Sequence, residues 1–113
     1  MKANNSQTDI LILNLQNVYQ IIKLSELSFC KSENGYTTFY LSNGKSYLVS
    51  KPLKHFEDQL PSCCFIRTHQ SYYVNINHIN RYDKRGFIIL DKGQKIPVSN
   101  RKREFFLNRL LNN

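Results

Sequence analysis

The chain has 113 residues and a mass of 13.4 kDa, enough for one domain; its 41% hydrophobic and 12% aromatic content supplies a modest core and excludes a disordered polyelectrolyte. Sixteen Lys and Arg against eight Asp and Glu give a formal charge of +8, and residues 81–113 hold nine of the bases but three of the acids. That asymmetry fits either a polyanion partner or a solvated basic tail, and no apolar run approaches the roughly 20 residues needed to span a bilayer.

Residues 1–9, polar and without periodicity, read as a flexible leader with no signal-peptide core, and residues 10–113 as the folded domain, expected in the cytoplasm. Residues 10–15 (ILILNL) and 18–22 (VYQII) read as paired strands around Gln16-Asn17. Residues 24–27 suit a helical turn or a bend, and 28–32 a strand that stops at the Glu33-Asn34-Gly35 turn. Residues 36–41 (YTTFYL) and 45–49 (KSYLV) form a hairpin around Asn43-Gly44, since both positions tolerate positive φ. Ser50 is placed to cap a short helix that carries Leu53, Phe56 and Leu60 on one face and stops at Pro61.

Strands resume over 65–69, 72–75 and 79–82. A turn at 83–86 leads to 87–90, and a turn at 91–94 leads to 95–98, where Pro97 demands an edge or a strand end. Ser99 can cap a last helix whose Phe106, Leu107, Leu110 and Leu111 make a core-facing stripe. Arg101, Lys102 and Arg103 crowd its first turn, where cations oppose the helix dipole at a few tenths of a kcal/mol to about 1 each. A bound anion relieves that conflict, so Ser99 and the three cations read either as a phosphate-binding corner or as long side chains splayed into solvent.

Other chemistry finds little support. Ser71 and His69 stand two apart on a strand and its flank, with no glycine-rich elbow or orienting carboxylate nearby, and Glu57-Asp58 reads as a solvated charge pair, so no enzyme and no small-molecule substrate are expected. Cys30, Cys63 and Cys64 are an odd set with two adjacent members and no C-x-x-C pair, which suits reduced thiols; His55 or His69 could join Cys63 and Cys64 on zinc, but no metal or cofactor is expected. Arg67, alternating with Ile66, is placed to pair with a carboxylate, and Asn75 suits a turn; both read as serving the fold. Tyr36, Tyr72 and Tyr73 suit cross-strand packing better than a platform for single-stranded nucleic acid, since no K-G-F-G-F string accompanies them.

Three segments together resemble one family. FIRTHQSYYVN over 65–75 with Ile79, IPVS over 96–99, and FCKSENGYT over 29–37 are similar to the signatures of the LytTR-type DNA-binding domain of bacterial transcription regulators, a resemblance that covers about residues 10 to 111. It implies a mainly β, elongated antiparallel fold of several small sheets with one or two short helices and a C-terminal helix. It also implies double-stranded DNA as partner, with loops reading the major grooves. Carried onto this chain, the base-contacting positions are Asn34, Gly35, Tyr36, Gln70 and Asn100, and the phosphate contacts are His69, Ser71, Ser99, Arg101, Lys102 and Arg103.

His69 is equally open to bracing its loop. Gln70 and Asn100 stand where a longer cation is common in the family. Gln and Asn pair bidentately with adenine, which implies an A·T-richer site and more reliance on phosphate contacts. The expected function is sequence-specific duplex binding as a transcription regulator, at a direct repeat occupied by two copies and in a two-component or response-regulator setting. An upstream receiver or sensor is left open, and a basic RNA- or protein-interaction module is the alternative.

Overall fold

A computed structural model describes residues 9–112, so the leader expected over 1–9 lies outside the described residues except for Asp9. Ten strands follow in chain order: β1 (Ile10–Asn14), β2 (Tyr19–Lys23), β3 (Leu27–Glu33), β4 (Tyr36–Leu41), β5 (Ser46–Val49), β6 (Phe65–His69), β7 (Tyr72–Asn75), β8 (Ile79–Asp83), β9 (Phe87–Leu90) and β10 (Lys95–Pro97). Helix α1 (Arg103–Leu111) closes the described chain. All pairings are antiparallel and make three sheets, β1-β2, β5-β4-β3-β7-β6 and β10-β9-β8.

The five-stranded sheet is the middle layer of a slab measuring 43 × 40 × 24 Å. On one face Cys30, Phe39 and Phe65 pack against Leu11, Leu13 and Ile22 of the β1–β2 hairpin and against Leu53, Phe56 and Leu60. On the other, Phe29, Ile66 and Val74 meet Ile88, Leu90, Ile96 and Val98 of the small sheet and Phe106 of α1. This double coverage explains why neighbours such as Phe29 and Cys30 are both buried, whereas β1 alternates, with only Leu11 and Leu13 inward.

Turn chemistry fixes the registers. Asn34 (φ 53°) and Gly35 (φ 82°) form a two-residue type I′ loop between β3 and β4. Asn43-Gly44 works differently from the sequence expectation, because only Gly44 has positive φ. Its amide bonds the Leu41 carbonyl at 3.1 Å and the Leu41 amide bonds the Lys45 carbonyl at 2.9 Å, the pattern of a type I turn closed by a glycine bulge. Pro97 ends β10, an edge strand, as its missing N–H requires.

Three further expectations are corrected. Val18 stays outside β2 and is exposed, since its carbonyl closes the turn by accepting from the Leu15 amide at 2.9 Å. Ser50 caps nothing: Leu53–Gln59 is a 3-10 helix with Pro52 at its N-cap, and the Thr37 hydroxyl takes the Lys51 carbonyl at 2.7 Å. Confined between Pro52 and Pro61, the segment closes with i→i+3 bonds, which stack Leu53 above Phe56 toward the core. In α1, Phe106 is buried and Leu107 and Leu110 pack partly against the core, but Leu111 at the last turn is 77% exposed.

Candidate nucleic-acid interface

Antiparallel pairing of β3 with β7 sets Lys31 opposite Tyr72, so the β3–β4 and β6–β7 tips emerge at the same end of the central sheet. The Ser32 amide donates to the Ser71 carbonyl at 2.8 Å and staples them together. Asn34, Gly35 and Tyr36 are exposed on the first tip. On the second, the register slips between Arg67 and His69, which leaves Gln70 exposed at the apex. His69 accepts from the Ser71 amide through Nδ1 at 3.0 Å and stands edge-on to Tyr72, so the neutral ring carries its proton on Nε2 as a donor.

The third element is the segment after β10. Its Ser99 amide donates to the Thr68 carbonyl at 2.8 Å and its Val98 amide to the Gly86 carbonyl at 2.9 Å, so the chain is tied to β6 on one side and to the β8–β9 turn on the other. Asn100 and Arg101 therefore emerge exposed, and Arg101 shares a concavity with Gln70. Ser99 stands at an N-cap, but its hydroxyl makes no capping bond.

The three cations expected to share a helix start are separated. Arg101 and Lys102 belong to a 3-10 turn, Asn100–Lys102, and line with Gln70 and Arg67 a shallow concavity of about 300 Å³. Arg103 opens α1 but turns inward, donating from Nε to the Val98 carbonyl at 3.4 Å and from Nη2 to the Arg85 carbonyl at 3.3 Å. Its guanidinium occupies the space where a side chain on Gly86 would stand. The conflict with the helix dipole is thereby reduced, and Glu104 supplies an acid in the first turn.

Several neighbours escaped the sequence reading. The β8–β9 turn brings Lys84 and Arg85 beside the segment after β10, because the Val98 amide bonds the Gly86 carbonyl and extends the β9–β10 ladder one rung past Pro97. Arg85 donates from Nε and Nη2 to the two carboxylate oxygens of Asp83 at 3.0 and 2.8 Å, and its backbone amide adds a third bond, which together hold the Asp83 carboxyl down to about 2. Lys31, whose ammonium lies 5.9 Å from the Tyr72 ring centre, adds a cation beside the first staple. Strand alternation alone could have placed it near the tip.

Glu57 is no solvated acid, because its Oε2 accepts from Nη1 of Arg67 at 2.6 Å. Arg67 thus finds the expected carboxylate. Asn75 accepts from the Asn77 amide, as a turn residue does, and also donates to the Leu24 and Leu27 carbonyls, locking β7 to the chain before β3. Cys63 and Cys64 are free thiols with sulfurs 3.4 Å apart, and burial pushes the Cys30 thiol up and out of reactive range. No group of three or more metal-ligating side chains occurs among the described residues, and no helix there is long and apolar enough to cross a membrane.

Comparison with known proteins gives this surface a context. The family model of the LytTr DNA-binding domain matches residues 17–110. The chain is 30% identical over 102 residues to the transcriptional regulatory protein LytR of Staphylococcus aureus strain MW2, covering 87% of this chain and 40% of that protein. It is 34% identical over 59 residues to the sensory transduction protein LytT of Bacillus anthracis, covering 49% of this chain and 24% of the relative. It therefore spans about 40% or less of these relatives. A solved LytTr DNA-binding domain from Bacillus cereus shares the fold at a TM-score of 0.78 and 24% identity, over 90% of this chain and 96% of that one. With more than four-fifths of its length matched by one family model, and with its loop tips gathered on one basic rim, the chain belongs to the LytTr DNA-binding domain family.

Proposed function

We propose that the chain binds duplex DNA sequence-specifically and serves as the DNA-binding part of a bacterial transcription regulator. One observation carries the reading: the Ser32–Ser71 and Ser99–Thr68 bonds bring three loops, far apart in sequence, into one exposed rim. Asn34, Gly35, Tyr36, Gln70 and Asn100 supply the base contacts. His69 through Nε2, Ser71, Ser99, Arg101 and Lys102 supply phosphate contacts, and Lys84 extends the positive ridge, whereas the Arg85 charge is met by Asp83. Arg103 supports the site from beneath, through the carbonyls it holds.

A module this small reads few bases, so two copies on a direct repeat make the full site. The relatives, a transcriptional regulatory protein and a sensory transduction protein, support a cytoplasmic regulator fed by a receiver or sensor. The test is selection of bound duplexes from a random library, for the natural chain beside Asn100→Ala and Lys102→Ala. An enriched repeated motif is expected, blurred by Asn100→Ala and only weakened uniformly by Lys102→Ala. Absence of any motif, with equal binding to RNA and heparin, refutes base readout.

A further inference from the structure

Gln70 stands at a hairpin apex outside the strand ladder, so the aim of its side chain depends on what holds the surrounding backbone. The carbonyls from Thr68 to Ser71 are all taken. Thr68 accepts from the Ser99 amide and Ser71 from the Ser32 amide, both at 2.8 Å. His69 and Gln70 share one guanidinium: Arg67 donates from Nη2 to the Gln70 carbonyl at 2.5 Å and from Nε to the His69 carbonyl at 3.4 Å. Its Nη1 is held by Glu57, and its plane lies over the Tyr73 ring, 5.4 Å from the ring centre. Glu57 itself comes from the 3-10 helix between Pro52 and Pro61, which contributes none of the DNA-facing residues.

We propose that Glu57 and Arg67 form a positioning pair that sets Gln70 for base reading, an inference that rests on the DNA reading above. The rigid fork of an arginine can hold two successive carbonyls and a carboxylate at once, which the point charge of a lysine cannot. The carboxylate has a second effect. Arg67 lines the same concavity as Gln70, Arg101 and Lys102, and Glu57 cancels a cation there that any phosphate would otherwise attract. Removing the carboxylate charge therefore acts in opposite directions: the brace on the Gln70 loop weakens, while every duplex meets one more unpaired positive charge.

The variant for the test is Glu57→Gln, nearly isosteric and still able to accept from Arg67, with Arg67→Lys as the companion that keeps the charge and loses the fork. Affinity is measured at one salt concentration for the duplex enriched from a random library and for a scrambled duplex of equal length, together with Tm. For Glu57→Gln the ratio of the two affinities is expected to fall about 5- to 10-fold, as for a weakened base contact, while affinity for the scrambled duplex holds or rises. For Arg67→Lys the ratio falls similarly. A parallel loss of both affinities with a lowered Tm marks a merely structural pair and overturns the proposal, as does an unchanged ratio in both variants. If the natural chain itself fails to distinguish the duplexes, the DNA reading fails first and the positioning role falls with it.

Discussion

Arg101, Lys102 and Arg103 are adjacent and equally charged, yet their side chains are committed differently, and salt titration of DNA binding separates them. A copy that neutralises about five phosphates has log K falling by about 4.5 per decade of salt, so raising salt from 50 to 200 mM weakens binding about 500-fold. Each lost phosphate contact flattens the slope by about 0.9, which leaves a weakening of about 150-fold for Lys102→Ala and about 40-fold for the double variant Arg101→Ala with Lys102→Ala. Arg103→Ala should keep the slope near 4.5, because its guanidinium is spent on the Val98 and Arg85 carbonyls. It should lower stability instead, by about 1 kcal/mol for two long charge-assisted bonds, or about 4 °C in Tm. Fluorescence anisotropy with a labelled duplex across that salt range reads the slope, and a thermal melt reads the stability. If Arg103→Ala flattens the slope by 0.9 without moving Tm, or the double variant leaves it within about 0.3 of the original, the assignment of these cations is refuted.

Other outcomes follow from buried and constrained residues. Asn75→Ala removes three hydrogen bonds from a buried side chain and strands the Leu27 carbonyl, while the Leu24 carbonyl keeps the Leu27 amide, so urea unfolding should show a loss of about 2–4 kcal/mol; a loss below about 1 would mean that water or a shifted backbone replaces them. Gly86→Ala combines a φ of +112° with a collision against Arg103 and should destabilise by about 2–3 kcal/mol. Gly44→Ala, where a side chain meets nothing, carries backbone strain alone, about 1 kcal/mol, and an equal effect at both sites by calorimetry would contradict this. Because Arg85 depresses the Asp83 carboxyl below its unfolded value, the Asp83 contribution is present above pH 4 and lost as pH falls through about 2. Carbon-detected NMR titration should place the midpoint near 2 and return it toward 3.8 in Arg85→Ala. Phe106→Ala should cost about 3–5 kcal/mol and Leu111→Ala less than about 0.5, by chemical denaturation.

Local chemistry was readable wherever one residue type had one physical outcome. Asn34-Gly35 announces a tight loop because both residues accept positive φ, and Pro97 announces an edge because it lacks a donor. Where two local outcomes compete, residue type alone does not select between them. Asn43-Gly44 took the glycine-bulge turn rather than the two-residue one, and Ser50 lost its capping role to a proline two residues later. Glu57 looked solvated because its partner stands ten residues on, across a turn and a strand start.

The sequence by itself determined the strands, the apolar stripe of α1, the concentration of positive charge in the last third and the loop residues that carry the family motifs, since each depends on neighbours within a few positions. Tertiary structure alone decided which cations face outward. Arg103 turns inward because a glycine seventeen residues earlier leaves room for its guanidinium beside two carbonyls, and Arg67 is taken up by Glu57 and the His69 and Gln70 carbonyls. Those arrangements depend on which backbone groups remain unpaired once the sheets have stacked, and no stretch of sequence carries that information on its own.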